Sequence, residues 1–338
     1  MNFHGHGQFP NTRLRRLRTH PWLREMVQET RLHPSDLILP LFIRTPEGPA
    51  EIPSMPGVRR WTIEELPQII EQILAVHIPA VGLFPLTPQA LKTPDGKEAF
   101  NPENLICQAI RTIKEMAPQL GIIADVALDP YTTHGHDGVW NGTYVDNDLS
   151  LDLLSKQAVI QAEAGADILA PSDMMDGRIA AIRQALDGAN FEDRAIMSYA
   201  AKYASFFYGP WREAVGVAKL PGQDGRPVGD KKTYQMNPAN AEEALREVAL
   251  DLQEGADMVM IKPGLPYLDI ISRVHQTFLV PTFAFQVSGE YSMIKVAAAQ
   301  GWMNEQAVME ETLISLKRAG ATGIFTYAAL EVARQLNK

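Results

Sequence analysis

Two lysines stand where two apolar runs of the chain end. Lys262 closes the run that begins at Met258, with Pro-Gly directly after it, and Lys202 closes the run that begins at Ala195. A short apolar run closed by Pro-Gly is typical of a buried strand reaching its end. A lysine there is either a solvated strand end or a functional amine. An ammonium near another cation or in an apolar pocket loses its proton more readily, and a neutral amine attacks a ketone to form a Schiff base. If the two strands are neighbours, the pair therefore predicts Schiff-base chemistry.

The elements that must position these lysines follow an alternating pattern. Eight apolar or β-branched runs predict strands at 37–43, 80–86, 122–128, 167–172, 195–201, 258–263, 282–288 and 323–329. Helical spacing lies between them, most clearly at 63–74, 104–116, 149–164 and 239–254. Several helices end in a glycine just before a strand, as in EAGAD, QEGAD and RAGATG, which is typical of a left-handed helix stop. Because the glycine fingerprint of a nucleotide-binding sheet is missing, the pattern favours a (β/α)8 TIM barrel.

Composition limits the class of protein. The 338 residues, 46% of them hydrophobic, suffice for one barrel or two ordinary domains. A formal net charge of −9 argues against a general nucleic-acid or anionic-membrane binder. The single cysteine, Cys107, excludes an internal disulfide framework and any multi-cysteine zinc site. No apolar run reaches the ~18 residues that span a bilayer, and the N-terminus lacks the apolar core of a signal peptide, so we expect a soluble, cytoplasmic protein.

Two segments do not belong to the strand and helix rhythm. Residues 1–35 include the basic run RLRRLR and precede a barrel at 36–338. A basic arm could bind nucleic acid, but on an acidic protein we favour an arm that lies on a partner subunit. The connection around 203–235 is long, with Gly216–Gly229 rich in Gly, Pro and charges, and is either an active-site lid or a surface loop.

Further polar residues stand near the carboxyl ends of the predicted strands, where TIM barrels carry their active sites. Asp125 is suited to hold an ammonium group, and Ser172 follows the next strand. Ser288 and Tyr327 could donate hydrogen bonds to a carboxylate, and Gly289 is predicted to begin a helix whose free N-H groups favour an anion. Singly, such residues often satisfy backbone groups, but their convergence on one mouth favours a site.

The loop after the third predicted strand reads DPYTTHGHDG, from Asp129 to Gly138. Two aspartates and two histidines in ten residues could bind a divalent cation. They could equally order the loop, and the spacing alone does not choose.

Seven ordered motifs resemble the porphobilinogen synthases, also called 5-aminolevulinate dehydratases. The motifs are DVALDPYTTHGHDG, APSDMMDGR, SYAAKYASFFYGPWREA, KKTYQMNPAN, EGADMVMIKPGLPYLD, FQVSGEYSMIK and TYAA. The resemblance covers most of the chain and implies a TIM barrel with an N-terminal arm. It also implies condensation of two 5-aminolevulinate molecules into porphobilinogen, with loss of two waters, on the route to haem and other tetrapyrroles.

The resemblance implies one substrate pocket around Lys262. This lysine would form the Schiff base with the substrate that supplies the propionate side. The carboxylate of that substrate would meet Ser288 and Tyr327, and its amine would face Asp125 and Ser172.

The resemblance implies a second pocket around Lys202. The carboxylate of the second substrate would meet Arg212, Lys231 and Gln235 on the lid. An anionic substrate is well served by basic groups on a part that can close. The insertion Lys219–Gly229 is longer than is usual in the family.

The metal requirement is expected to differ from that of the zinc-dependent members. Those carry three cysteines where this sequence has Ala127, Asp129 and Asp137, so zinc is not expected. This sequence resembles instead the aspartate-bearing members, which respond to magnesium or monovalent cations. The resemblance implies an activating, allosteric Mg²⁺ at Glu247; otherwise Glu247 is an ordinary solvated helix residue. The resemblance further implies a homo-octamer assembled through the arm, and no organic cofactor.

Two other functions fit the same sequence. A Schiff-base class I aldolase on this barrel would need one amine and usually a phosphate site, and would cleave its substrate by retro-aldol reaction. A catalytically idle binding barrel would bind carboxylates but would not be trapped by borohydride.

Overall fold

The computed structural model of the chain describes residues 7–217 and 230–337. Within them, parallel strands form one barrel: β1 (Leu37–Arg44), β2 (Ala80–Leu86), β3 (Gly121–Val126), β4 (Ile168–Pro171), β5 (Ala195–Lys202), β6 (Met258–Lys262), β7 (Thr282–Phe285) and β8 (Gly323–Phe325). Each pairs with its neighbours in chain order, and β8 pairs with β1 through Leu37 and Ile324, so the sheet closes. The predicted (β/α)8 TIM barrel is confirmed.

Helices cover the outside of the barrel. In the described part of the chain they are α1 (Pro21–Met26), α2 (Leu66–Ala75), α3 (Leu105–Met116), α4 (Asn147–Ala164), α5 (Arg178–Gly188), α6 (Gly209–Ala214), α7 (Glu242–Gln253), α8 (Leu268–Phe278), α9 (Ser288–Ala299), α10 (Glu305–Ala319) and α11 (Ala329–Leu336). Short 3-10 turns lie at Leu14–Arg18, Pro34–Asp36, Ile63–Glu65, Gln89–Leu91, Lys97–Phe100, Phe206–Tyr208, Lys231–Thr233 and Leu265–Tyr267. Two-residue strands lie at Arg60–Trp61, Val139–Trp140 and Val145–Asp146.

The strands are apolar because both of their faces are covered. All eight residues of β1 are buried, and the interior of β2 is buried as well. Each fully buried aliphatic side chain contributes about 1.5–3 kcal/mol relative to exposure. The predicted glycine stops are confirmed, since Gly165, Gly255 and Gly320 have φ of 109°, 109° and 116°.

Several predicted strand boundaries were wrong by a few residues, and the largest errors lie at the carboxyl ends of β7 and β8. The seventh strand was expected to reach Ser288 but β7 ends at Phe285, and Ser288 is already the first residue of α9. That helix therefore begins one residue before Gly289. The eighth strand was expected to include Tyr327, which lies instead in the turn between β8 and α11. Apolar character continues past the last ladder hydrogen bond, so the hydrophobic run overstates the strand.

The two segments outside the rhythm are only partly described. In the arm, neither Leu14–Arg18 nor α1 has a buried residue, and Leu14 and Trp22 are 69% and 61% exposed. The insertion Lys219–Gly229 lies outside the described residues, as do residues 1–6. The boundaries of arm and lid stay predictions.

Cys107 lies on α3 and is fully buried. Its Sγ faces the carbonyl of Ile160 at 3.8 Å. Burial raises the pKa of the thiol to about 12. Over the described residues, no helix combines the length and the apolar character needed to cross a membrane.

Candidate active site

The two lysines lie directly opposite each other on adjacent strands. Lys202 is the last residue of β5 and Lys262 the last of β6, and the two are paired in the parallel register. Both side chains are buried, at 6% and 5% exposure. The structure therefore places both strand-terminal amines in the same barrel mouth, as the sequence predicts for neighbouring strands.

Lys262 lies in an aromatic cage. Its Nζ is 4.4 Å from the ring centre of Phe285, 4.6 Å from Trp211, 5.1 Å from Tyr199 and 5.4 Å from Tyr208. Burial among these rings, followed by the charge of Lys202, lowers the pKa of Lys262 to about 7, against the opposing effect of nearby aspartates. A large fraction of the Lys262 amine is therefore neutral and nucleophilic near neutral pH.

Asp125 occupies the mouth close to this amine. It is half-buried on β3, and its side chain is hydrogen-bonded to that of Ser172. Burial, with Asp129 adding negative charge, raises the pKa of Asp125 to about 7, although Lys262 and Lys202 oppose the rise. The carbonyl of Asp125 accepts from Gln161 Nε2 at 3.0 Å, which fixes its backbone to α4.

Lys202 has polar surroundings. Its Nζ donates to Asp137 Oδ1 at 3.0 Å and to the carbonyl oxygen of Ser172. Asp137 comes from the loop after β3 and Ser172 follows β4, so two loops converge on the amine of β5.

Asp137 also holds a second lysine. Its Oδ2 is 2.7 Å from Lys231 Nζ and accepts from the Tyr234 hydroxyl at 2.9 Å, while Lys231 reaches Asp129 Oδ2 at 3.2 Å. Burial opposes ionisation of Asp137, but Lys202 and Lys231 together lower its pKa well below the usual range. Burial likewise opposes the charge of Lys231, and the two aspartates raise its pKa above the ordinary value.

These contacts bear on the two interpretations of the DPYTTHGHDG loop. The carboxylates of Asp129 and Asp137 face lysines, and Nε2 of His134 lies 3.0 Å from the carbonyl of Pro94. Within residues 7–217 and 230–337, no three His, Cys, Asp or Glu side chains cluster in a way that could hold a metal ion. The loop is ordered by these contacts.

Ser288 and Tyr327 approach the Lys262 side of the mouth. Ser288 is fully buried; its Oγ accepts from the N-H of Trp211 at 2.9 Å and lies 3.4 Å from the carbonyl of Phe207. The ring of Tyr327 lies 6.1 Å from that of Phe285. Its hydroxyl is buried without a hydrogen-bond partner among the described residues. Burial raises the pKa of Tyr327 well above its usual value, so the hydroxyl keeps its proton as a donor.

Arg212 and Gln235 come from the segments that follow Lys202 in the chain. Arg212 lies in the last turn of α6, is half-buried, and makes no ion pair with a described carboxylate. Gln235 is buried next to Met236, whose N-H donates to the carbonyl of Lys202 at 3.0 Å. Of the three groups expected on the second carboxylate, Lys231 is ion-paired with Asp129 and Asp137.

Glu247 lies on α7, the helix that directly precedes β6 in the chain. It is half-buried, and its pKa is raised first by burial and then by Asp251, with Asp176 and Glu243 adding to the effect and Arg178 opposing it. A hard cation bound by this carboxylate and by waters would relieve that crowding of negative charge. Among the described residues, Glu247 belongs to no cluster of three potential metal ligands, and the magnesium assignment stays a prediction.

Several residues that line the barrel mouth were not predicted from the sequence. The four cage aromatics were not assigned a role, although a short aromatic segment after Lys202 is visible in the sequence. Asp129 and Asp137 were left between two interpretations and Tyr234 was not considered. Their partners lie about 65 to 100 positions away, so local spacing carries no signal for the pairing.

Comparison with known proteins agrees with this geometry. The family model for delta-aminolevulinic acid dehydratase matches residues 11–335. A delta-aminolevulinic acid dehydratase of Bradyrhizobium diazoefficiens is 52% identical over 325 residues, covering 96% of this chain and 90% of that protein. One of Halalkalibacterium halodurans is 50% identical over 327 residues, covering 96% and 97% of the two chains.

A solved structure shows the same fold. It is delta-aminolevulinic acid dehydratase from Toxoplasma gondii ME49 in complex with the reaction product porphobilinogen, 45% identical, with a TM-score of 0.91 over 96% of this chain and 91% of that one. A family match over nearly the whole chain, together with relatives at about half identity, shows that this chain belongs to the delta-aminolevulinic acid dehydratase (porphobilinogen synthase) family of lyases.

Proposed function

We propose that the protein condenses two molecules of 5-aminolevulinate to porphobilinogen through lysine Schiff bases. The observation that carries this proposal is the pair of opposed lysines at the barrel mouth, one of them with a pKa lowered to about 7. Two amines in one mouth suit a reaction that joins two ketone substrates, whereas an aldolase needs only one.

Lys262 acts on the first substrate. Its neutral amine attacks the ketone carbon, and loss of one water leaves a protonated imine. The carboxylate of this substrate lies against Ser288 and Tyr327, where the unpartnered tyrosine hydroxyl and the N-terminus of α9 favour an anion. Its ammonium faces Asp125, with Ser172 beside it.

Lys202 acts on the second substrate. We assign its carboxylate to Arg212, Lys231 and Gln235. This is supported by the Arg212 guanidinium, which pairs with no described carboxylate, and by the position of Gln235 next to Met236, the backbone partner of Lys202. The ion pairs of Lys231 with Asp129 and Asp137 must loosen as it takes the substrate carboxylate. The imine acts as an electron sink, so the adjacent carbon loses a proton and attacks the second carbonyl.

The decisive experiment is incubation of purified protein with 5-aminolevulinate, followed by a colorimetric assay for the pyrrole product. Porphobilinogen formation is the expected result. Release of smaller carbonyl fragments by retro-aldol cleavage would support the aldolase alternative. Binding without turnover and without a borohydride adduct would support an idle binding barrel.

Magnesium is proposed as an activator bound through Glu247 and water. The crowding of carboxylates around Glu247 supports this assignment, as does the absence of cysteine at Ala127, Asp129 and Asp137, since thiolates are what structural zinc sites require. EDTA should lower activity, added magnesium should restore it, and a zinc-selective chelator should leave it intact. In Glu247→Ala the magnesium response should be lost. Activity rescued by zinc alone would refute this proposal.

The exposed arm supports assembly into a homo-oligomer, with an octamer as the family-based expectation. Leu14, Leu17 and Trp22 are exposed in the single chain and would be buried on a neighbour, at about 25 cal/mol per Å² of apolar surface. Light scattering of the full chain and of a chain beginning near His33 tests this. A truncated chain that forms an assembly of the same mass and is equally active would contradict it.

An acidic protein with one buried thiol also suits the reducing cytoplasm, where we place it.

A further inference from the structure

Glu290 is a buried carboxylate that the reaction scheme above does not use. It is the third residue of α9 and is 2% exposed. Burial raises the pKa of its carboxyl group to about 7, against the opposing effect of three backbone hydrogen bonds. Burying such a group is costly unless its oxygens are hydrogen-bonded.

The carboxylate joins two separate segments of the barrel mouth. Oε1 accepts from the N-H of Leu265 at 2.7 Å, and Oε2 accepts from Gly264 at 3.3 Å and from Val287 at 2.7 Å. Gly264 and Leu265 are the second and third residues after Lys262. Val287 immediately precedes Ser288.

Helix capping explains only one of these contacts. A glutamate at the third helical position commonly accepts from the backbone N-H before the helix, which accounts for Val287. The bonds to Gly264 and Leu265 lie outside α9 and contribute nothing to its cap. They fasten the end of β6 to the start of α9.

The fit at this junction is tight. A Cβ on Gly264 would lie 3.0 Å from the carbonyl oxygen of Phe285, and a Cβ on Gly289 would lie 2.5 Å from that of Phe207. A side chain at Gly264 would push the residues after β6 away from the end of β7, and one at Gly289 would push the start of α9 away from the turn after β5. Close backbone approach therefore holds each segment against a neighbour, and the Glu290 carboxylate joins the two segments to each other.

We propose that Glu290 is a positioning residue, which fixes the distance between the Lys262 amine and the carboxylate-binding start of α9 at Ser288. The inference rests on the proposed function, since it assigns the two ends of one substrate to these two segments. A ketone that also carries a carboxylate must reach both segments at once. A ketone without a carboxylate needs Lys262 alone.

The test compares two ketones as borohydride traps. The two-ended probe is 4-oxopentanoate, which has the ketone and the carboxylate; the one-ended probe is butanone. Each forms an imine with Lys262 with loss of water, and hydride from borohydride reduces the imine to a stable secondary amine that mass spectrometry quantifies. Trapping does not require condensation, so this readout stands even if the protein makes no porphobilinogen.

The variant is full-length Glu290→Gln, whose amide offers one acceptor oxygen and turns an N-H group toward backbone donors. We expect the two-ended probe to be trapped about tenfold less efficiently, as for loss of a hydrogen bond to a charged group, while trapping of butanone is unchanged. The matched control is Glu305→Gln, which removes a half-exposed carboxylate paired with Lys295 of the same helix α9 and should leave both probes unchanged.

An equal loss for both probes would show that Glu290 supports Lys262 or the fold in general, and would overturn the proposal. Unchanged trapping of both would overturn it as well. If Glu290→Gln does not fold, Glu290→Asp decides by the same ratio, because the shorter side chain keeps the charge but draws the carboxylate back from Gly264 and Leu265.

Discussion

Lys202 and Lys262 are paired residues on adjacent strands, but their immediate surroundings differ. Lys262 lies among four aromatic rings, whereas Lys202 donates to the carboxylate of Asp137 and to a backbone carbonyl. An apolar cage disfavours an ammonium, and an ion pair stabilises one. The contrast indicates that the Lys262 amine is partly neutral in the resting protein, whereas the Lys202 amine is held in position by its partners.

The largest expected effect comes from removing either amine. Lys262→Ala and Lys202→Ala should each lower kcat by orders of magnitude, because each removes a covalent site for one substrate. Steady-state assays of porphobilinogen formation measure this loss. After borohydride treatment with substrate, the adduct should be on Lys262 in the unaltered protein. Near-normal turnover of Lys262→Ala would show that Lys262 is not the covalent site for the first substrate.

A smaller effect is expected from releasing the second amine. Asp137→Asn removes the carboxylate that pairs with both Lys202 and Lys231 and should lower kcat/KM about a hundredfold, as for a buried charge pair. Asp129→Asn is the matched control, since Asp129 pairs with Lys231 alone, and should cost less. If the two variants were equally impaired, the ion pair at Lys202 would have no special role.

The pH dependence of kcat/KM should reflect the lowered pKa of the Lys262 amine. Both Lys262 and Asp125 have pKa values of about 7, and both must be deprotonated, the first to attack and the second to hold an ammonium. Activity should therefore fall below pH ~7 with a slope steeper than one proton. Asp125→Asn removes one of the two groups, so a shallower acid limb is expected. A limb of unchanged steepness would contradict this assignment.

The smallest effect concerns stability. A lysine whose folded pKa is lowered from about 10.5 to about 7 binds a proton more readily when unfolded, so it destabilises the fold fully below pH ~7 and progressively less up to pH ~10.5. Lys262→Met should raise the free energy of unfolding on the order of 2 kcal/mol at pH 7 and by much less at pH 10. Urea unfolding at both values of pH measures this. A stability gain that does not shrink at high pH would point to packing alone.

Most of the fold could be predicted from the sequence, because strands that are covered on both faces are continuously apolar. Runs such as LILPLFI are recognisable without any partner, and the helices between them end at glycines with a positive φ. The site residues at strand ends could also be predicted, since a parallel barrel brings all of those ends to one mouth. Asp125, Lys202 and Lys262 lie where this rule puts them.

The features of the site that could not be predicted depend on contacts between distant segments of the chain. The cage is assembled from Tyr199 on β5, Tyr208 and Trp211 after it, and Phe285 on β7, and no local pattern links these positions. The predicted end of the seventh strand was wrong because the polar end of TFAFQVS belongs to a helix start, which is stabilised by Glu290, the third residue of that helix. A hydrophobic run marks burial and does not mark the last ladder hydrogen bond.

The buried Cys107 has a practical consequence for experiments on this molecule. Its thiolate, the form that reacts with maleimides and iodoacetamides, is suppressed by a pKa of about 12, and its side chain is sealed inside the layer of helices. The chain holds no second cysteine. A cysteine introduced at an exposed position of the arm outside its apolar residues, such as Glu29→Cys, would therefore be the one reactive thiol of the native protein. A fluorescent dye attached there would report on subunit association without any background mutation.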